Sequence, residues 1–135
     1  MKKIFLLISI LFVFISCNLD DEPQSQYVLL PVESVEMPEN FHVGVINQIK
    51  VKYRRPTTCH LYDSFYYQAD GLTRTVAINA IKLNSNNCEN ATEEGPYEVM
   101  LDFKPTEIET YTFKFWTGTN SSGVDQYIEY LAEVN

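Results

Sequence analysis

The chain has 135 residues, a formal net charge of −8 and three cysteines. That length supports one domain of ordinary size. The acidic balance excludes the basic stripe that nucleic acid or anionic lipid requires, and nine Tyr, eight Phe and one Trp favour strands over helices.

Lys2 and Lys3 precede an apolar run from Ile4 to Ile15 that only Ser9 interrupts. The run is too short for a membrane-spanning helix of about 20 residues. It fits the apolar region of a secretory signal, about 7–15 residues behind a positive start. A buried first strand or helix is the competing reading. Small Ser16 stands just before Cys17, and Phe14-Ile15-Ser16-Cys17 resembles the lipobox of bacterial lipoproteins, with Phe14 where leucine is usual. The resemblance implies that residues 1–16 are cleaved and that the Cys17 thiol takes a diacylglycerol. It also implies acylation of the new amine, and two or more acyl chains anchor stably. Position +2 is Asn18, not the aspartate associated with inner-membrane retention. Asp20-Asp21-Glu22 looks like the export tag that some Gram-negative lipoproteins carry to the cell surface; a solvated linker is the plainer reading. The implied location is the outer membrane, lipid-anchored and surface-exposed, with the periplasmic face as the alternative.

With the leader removed, eight basic side chains face 18 acidic ones, a net −10. With Cys17 assigned to lipid, Cys59 and Cys88 form an even pair in an oxidising compartment, so a disulfide is expected. A metal or redox site is the alternative, but neither cysteine has a second one two or three residues away.

Residues 17–26 are expected to form a flexible tether, rich in polar residues and holding Pro23, and residues 27–135 one β domain. Val28, Leu30 and Val32 alternate, then Val35 and Met37; Pro31 and Pro38 predict a broken edge strand that Phe41–Val45 continues. Ile49, Val51 and Tyr53 alternate with Lys50, Lys52 and Arg54, a half-buried strand with a basic outer face. An aromatic segment runs from His60 to Gln68, and Asp70-Gly71 predicts a hairpin into Leu72–Leu83. Asn84–Pro96 reads as a polar loop carrying Cys88. Tyr97, Val99, Leu101 and Phe103 alternate, as do Tyr111, Phe113 and Phe115. Thr117–Asp125 is a loop, and Gln126–Val134 the last strand.

About seven strands predict a single antiparallel β-sandwich. The segment from Phe103 to Phe115 resembles the corner before the penultimate strand of immunoglobulin-like and fibronectin type III domains. The resemblance implies that the Tyr111 hydroxyl ties that corner. Cys88 falls in a loop, so the inter-sheet disulfide of antibody domains is not reproduced.

Few residues offer chemistry. His42 and His60 have no partner histidine at useful spacing, and Cys59 and His60, being adjacent, point to opposite faces of a strand. Glu93-Glu94 and the Glu107/Glu109 pair are carboxylates that a glycosidase could use, but they read as solvated loop charges. The 84–94 loop lacks the spacing of a calcium loop. Asn90-Ala91-Thr92 and Asn120-Ser121-Ser122 match the N-glycosylation pattern by chance and mark surface loops. Tyr62, Tyr66, Tyr67 and Trp116 are the candidate ligand-binding aromatics, although aromatics more often fill cores.

The sequence therefore reads as a non-catalytic, lipid-anchored interaction or adhesion module with no cofactor, catalytic residue or metal site. Its partners are the membrane, through Cys17, and a protein or glycan. The alternatives are a carbohydrate-binding accessory lipoprotein of a surface glycan-uptake system and, disfavoured, a small secreted hydrolase. The fold alone does not choose among them.

Overall fold

The computed structural model describes residues 24–135; the expected leader, Cys17 and the acidic run lie outside them. The described residues form no helix and eight strands: β1 (Ser25–Leu30), β2 (Val32–Glu36), β3 (Asn47–Tyr53), β4 (His60–Asp70), β5 (Thr73–Leu83), β6 (Tyr97–Phe103), β7 (Thr110–Thr119) and β8 (Asp125–Glu133). The count exceeds the expected seven because Pro31 splits the first strand. Proline has no N–H to give a ladder, and at Pro31 the chain passes from one sheet to the other. β1 begins at Ser25, so it takes in two residues assigned to the tether. Phe41–Val45 does not continue it; Phe41 makes a single bridge to Val134.

The expected β-sandwich is present. One sheet holds β1, β4, β5, β7 and β8, and the other has the order β2-β3-β6. Both sheets are dominated by antiparallel pairs; the exception is β5 and β7, which run parallel from Thr73↔Thr112 to Val76↔Phe115. The cause lies in β5. Val76, Ala77 and Ile78 are consecutive and all buried, so the strand is closed on both faces at its middle, while Thr75, Asn79 and Ile81 stay half-buried on the outer face. A strand closed on both faces at its middle belongs inside a sheet. β4 therefore takes one edge of β5 along its length. The other edge is shared. β7, arriving from the opposite sheet, takes the part near the β4–β5 turn, and β1 takes the rest, from Leu30↔Ile78 to Ser25↔Leu83. A seam lies where β7 gives way to β1.

The β4–β5 hairpin closes at Gly71-Leu72, one residue beyond the predicted Asp70-Gly71, with Asp70 paired to Thr73. Gly71 has φ +54, and no other residue type in the described chain has positive φ. A positive φ at the first central position is the II′ pattern that glycine suits.

The core follows the alternations. Ile49, Val51 and Tyr53 from β3, Leu101 and Phe103 from β6, and Tyr111, Phe113 and Phe115 from β7 are buried. Phe103 meets Phe113 edge-on at 4.9 Å and Tyr111 at 5.1 Å, and Phe113 stacks with Phe115 at 5.8 Å. Tyr111 ties no corner, since its hydroxyl makes no hydrogen bond among the described residues. Its ring is held instead by Phe103 and by the Arg74 guanidinium, 4.9 Å from the ring centre.

The predicted basic face of β3 is neutralised. Lys50 and Lys52 sit between Glu36 of β2 and Glu98 of β6, each lysine paired with both carboxylates. Lys52, then Lys50, hold Glu36 below the ordinary carboxylate range. This leaves the outer face of the smaller sheet without a free cationic patch for an acidic partner.

Asn47 opens β3 and is buried. Its Oδ1 accepts the His42 N–H at 3.0 Å, and its Nδ2 donates to the carbonyls of His42 and Val45, each at 3.0 Å, and of Phe103 at 3.4 Å. Removing the amide leaves these backbone groups without their partner. Asn47→Ala is expected to lose about 2 kcal/mol in urea denaturation. A loss under about 0.5 kcal/mol would show that the loop satisfies itself.

Candidate functional site

The outer face of the larger sheet is read from the ladder. On β5, Val76, Ile78 and Ala80 point into the core, which leaves Thr75, Ala77, Asn79 and Ile81 outward. Tyr66 pairs with Ala77 and Gln68 with Thr75 across β4–β5. Trp116 pairs with Tyr127 across β7–β8. These residues enclose a groove of about 250 Å³ that Leu29 and Asp125 complete. The groove lies at the seam, where β7 leaves β5 and β1 takes over. Gly118, at φ +115, lets β7 bulge away there; a β-carbon on it would come within 3.9 Å of Pro31. Ala77, nearly inaccessible at 1%, forms the floor, and a larger residue would fill the hollow.

The polar groups are partly engaged. Trp116 Nε1 donates to Asp125 Oδ1 at 2.9 Å, and Thr119 Oγ1 donates to the same oxygen at 2.8 Å. Trp116 and then Thr119 hold the Asp125 carboxyl below its ordinary range, so it is ionised at neutral pH. The Tyr66 hydroxyl donates to Gln68 Oε1 at 2.9 Å. Among the described residues, Asp125 Oδ2 and Gln68 Nε2 make no hydrogen bond.

The rings differ inside and out. All ring–ring contacts among the described residues involve core-side aromatics, from Phe41–Phe103 to Phe115–Tyr130. Neither Tyr66 nor Trp116 stacks on another ring, and Lys114 lies 4.9 Å over the Tyr127 ring.

The four aromatics singled out in the sequence do not form one platform. Tyr66 and Trp116 share the groove. Tyr67 follows Tyr66, so it faces the other way, and burial raises the pKa of its hydroxyl. Tyr62 is spaced from Tyr66 for the same face. A bulge between Tyr62 and Ser64 inserts one residue and turns Tyr62 inward, 6.1 Å from Tyr53 of the opposite sheet. Sequence reasoning missed Tyr127, Gln68 and Asp125. The signal for Tyr127 was present, since Ile128, Tyr130, Ala132 and Val134 alternate along the last strand and the residue before Ile128 must face the other way.

Cys59 and Cys88 are bridged, with Cα atoms 5.3 Å apart, as expected. His60 is buried beside them, its Nδ1 2.9 Å from Thr57 Oγ1. Burial, with Lys82 nearby, lowers its pKa, so the ring is neutral at pH 7. A second hollow of about 420 Å³ next to Cys88 and Lys82 is polar and has no ring in its lining. Among the described residues, no three His, Cys, Asp or Glu side chains converge as metal ligands would.

The fold and groove define an all-β sandwich with an aromatic cleft at a strand seam. No protein-family model, curated protein or solved structure matches this chain.

Proposed function

We propose that this chain is a non-catalytic, lipid-anchored protein of the outer membrane, facing the cell surface, whose sandwich is an interaction module. Its binding site is the groove of Tyr66, Trp116 and Tyr127. The observation that carries this reading is that Tyr66 and Trp116, on the outer face of the larger sheet, line one groove and stack on no other ring. Aromatic bodies with a polar tip are favoured where one side must be apolar and the other wet. The anchoring rests on the likeness of Phe14–Cys17 to a lipobox, and the surface address on Asp20-Asp21-Glu22.

Two expected results test it. Wild-type chain fractionates with membranes and is shaved by protease from intact cells. Cys17→Ser leaves the membrane fraction, and the triple alanine variant of residues 20–22 stays in the membrane fraction but is protected. Equal membrane retention of Cys17→Ser overturns the anchor. For the groove, detergent-extracted chain is compared with Tyr66→Ala/Trp116→Ala on arrays of envelope proteins and glycans. A double variant that binds as the wild type does at every spot removes the groove from the function.

A further inference from the structure

We infer that the groove takes one uncharged pyranose ring of a glycan, packed between Tyr66 and Trp116 and hydrogen-bonded by Gln68 and Asp125. This rests on the groove being the binding site and specifies its ligand.

Shape is the first argument. Tyr66 on β4 and Trp116 on β7 stand on either side of Ala77 on β5. With β5 between them, their backbones stand at least two strand spacings apart, about 10 Å, and β7 turns away beyond Phe115. A saturated ring in contact with an aromatic ring on each side, at about 4 Å apiece, needs roughly 8 Å. The groove holds about 250 Å³. A hexose displaces on the order of six waters, about 180 Å³ at 30 Å³ each. One ring fits, and the rest of a chain would lie along the open sheet face.

Chemistry is the second. A pyranose presents C–H groups on its faces and hydroxyls on its rim. The C–H faces suit the exposed rings of Tyr66 and Trp116, which stack on nothing else. Two neighbouring hydroxyls need one strong acceptor and one donor. Asp125 Oδ2 and Gln68 Nε2 are an acceptor and a donor without protein partners among the described residues. Both are held in place through their other atoms, Asp125 by Trp116 and Thr119, Gln68 by the Tyr66 hydroxyl. Groups fixed before the ligand arrives lose little freedom on binding.

Charge is the third, and it selects within the class. Among the described residues no cation pairs with Asp125, and the nearby Lys114 is engaged by Glu129 at 3.4 Å. The whole chain is acidic at −8. A uronate or sulfated sugar would bring a second anion against Asp125, and the cation beside the groove, Lys114, is already held by Glu129.

The test is calorimetric titration of the detergent-extracted full chain with paired oligosaccharides. The neutral set is gluco-, manno-, galacto- and xylo-oligosaccharides; the acidic set is oligogalacturonate and oligomannuronate. Binding of at least one neutral member, tenfold or more ahead of the acidic ones, is expected. Tyr66→Ala and Trp116→Ala each lose tenfold or more, whereas Tyr66→Phe, which keeps the ring and only frees Gln68, loses less than Tyr66→Ala. Tyr66 is 42% exposed, so its truncation leaves the fold intact. Tyr62→Ala, on the other face, leaves binding unchanged. Asp125→Asn keeps an oxygen for Trp116 and removes the charge, so the preference over acidic sugars shrinks. No binding across the panel at millimolar sugar overturns the inference, as does binding that survives both ring truncations, or equal binding of acidic sugars. If the panel fails while the double variant loses protein spots on the array, the sugar inference falls and the interaction module stands.

Discussion

Phe113→Ala lowers the unfolding free energy by about 4 kcal/mol in urea denaturation. Phe113 is completely buried at the centre of the sandwich. It packs edge-on against Phe103 of the facing sheet at 4.9 Å and stacks on Phe115 of its own strand at 5.8 Å. Truncation removes the transfer free energy of the ring and leaves a cavity between two sheets that ladders hold apart, so collapse is limited. Domains of this size hold about 5–15 kcal/mol in all, so the variant sits near the edge of folding. Phe113→Leu, which keeps most of the volume, is expected to lose less than half as much. A loss below about 1.5 kcal/mol for the alanine variant would mean that the sheets close over the gap and that the core is not organised around this ring.

Removing the disulfide is the second large effect. Cys59→Ala/Cys88→Ala is expected to destabilise the domain by about 3–4 kcal/mol, the chain-entropy value for a loop of this length. The bridge spans 29 residues, from just before β4, around the β4–β5 hairpin, to the loop beyond. In the folded state that loop has other ties. Thr58 N–H donates to the Glu89 carbonyl at 2.9 Å, Ala91 N–H to that of Pro56 at 3.1 Å, and Arg55 pairs with Glu94 at 2.9 Å. The native geometry therefore persists without the bridge, and the loss arises from the freed unfolded chain. Wild type in reductant should fall to the stability of the double variant. A drop under about 1 kcal/mol would place the restraint in those hydrogen bonds instead.

The inward faces of β3, β6, β7 and β8 were legible because one residue type dictates each position: an apolar side chain at every second place has one side to go. Pairing was not legible. Alternation states which face a residue takes and says nothing of neighbours, so the parallel β5–β7 contact could not be read. Its clue was the run Val76-Ala77-Ile78, which breaks alternation and marks a strand covered on both faces at its middle. The site was half legible. Trp116 was legible as outward, since it follows the alternating Tyr111, Phe113 and Phe115. Tyr62 was misplaced by the bulge at Asp63, for no glycine or proline signals that extra residue. Tyr66 and Tyr67 could never share a face, and their adjacency said so.

The seam along β5 has a mechanical consequence. If Cys17 carries the proposed anchor, tension enters the sandwich through Ser25 and falls first on β1. That strand is joined to the sheet by six residue pairs with β5, and it ends at Pro31, where the chain turns to the other sheet. Peeling β1 withdraws Leu29 from the groove and bares the β5 edge, while β7 and β8 keep Trp116 and Tyr127 in place. The strand that carries the load is thus one wall of the pocket, and a ligand seated against Leu29 and Tyr66 acts as a rivet across the line where the domain would first tear.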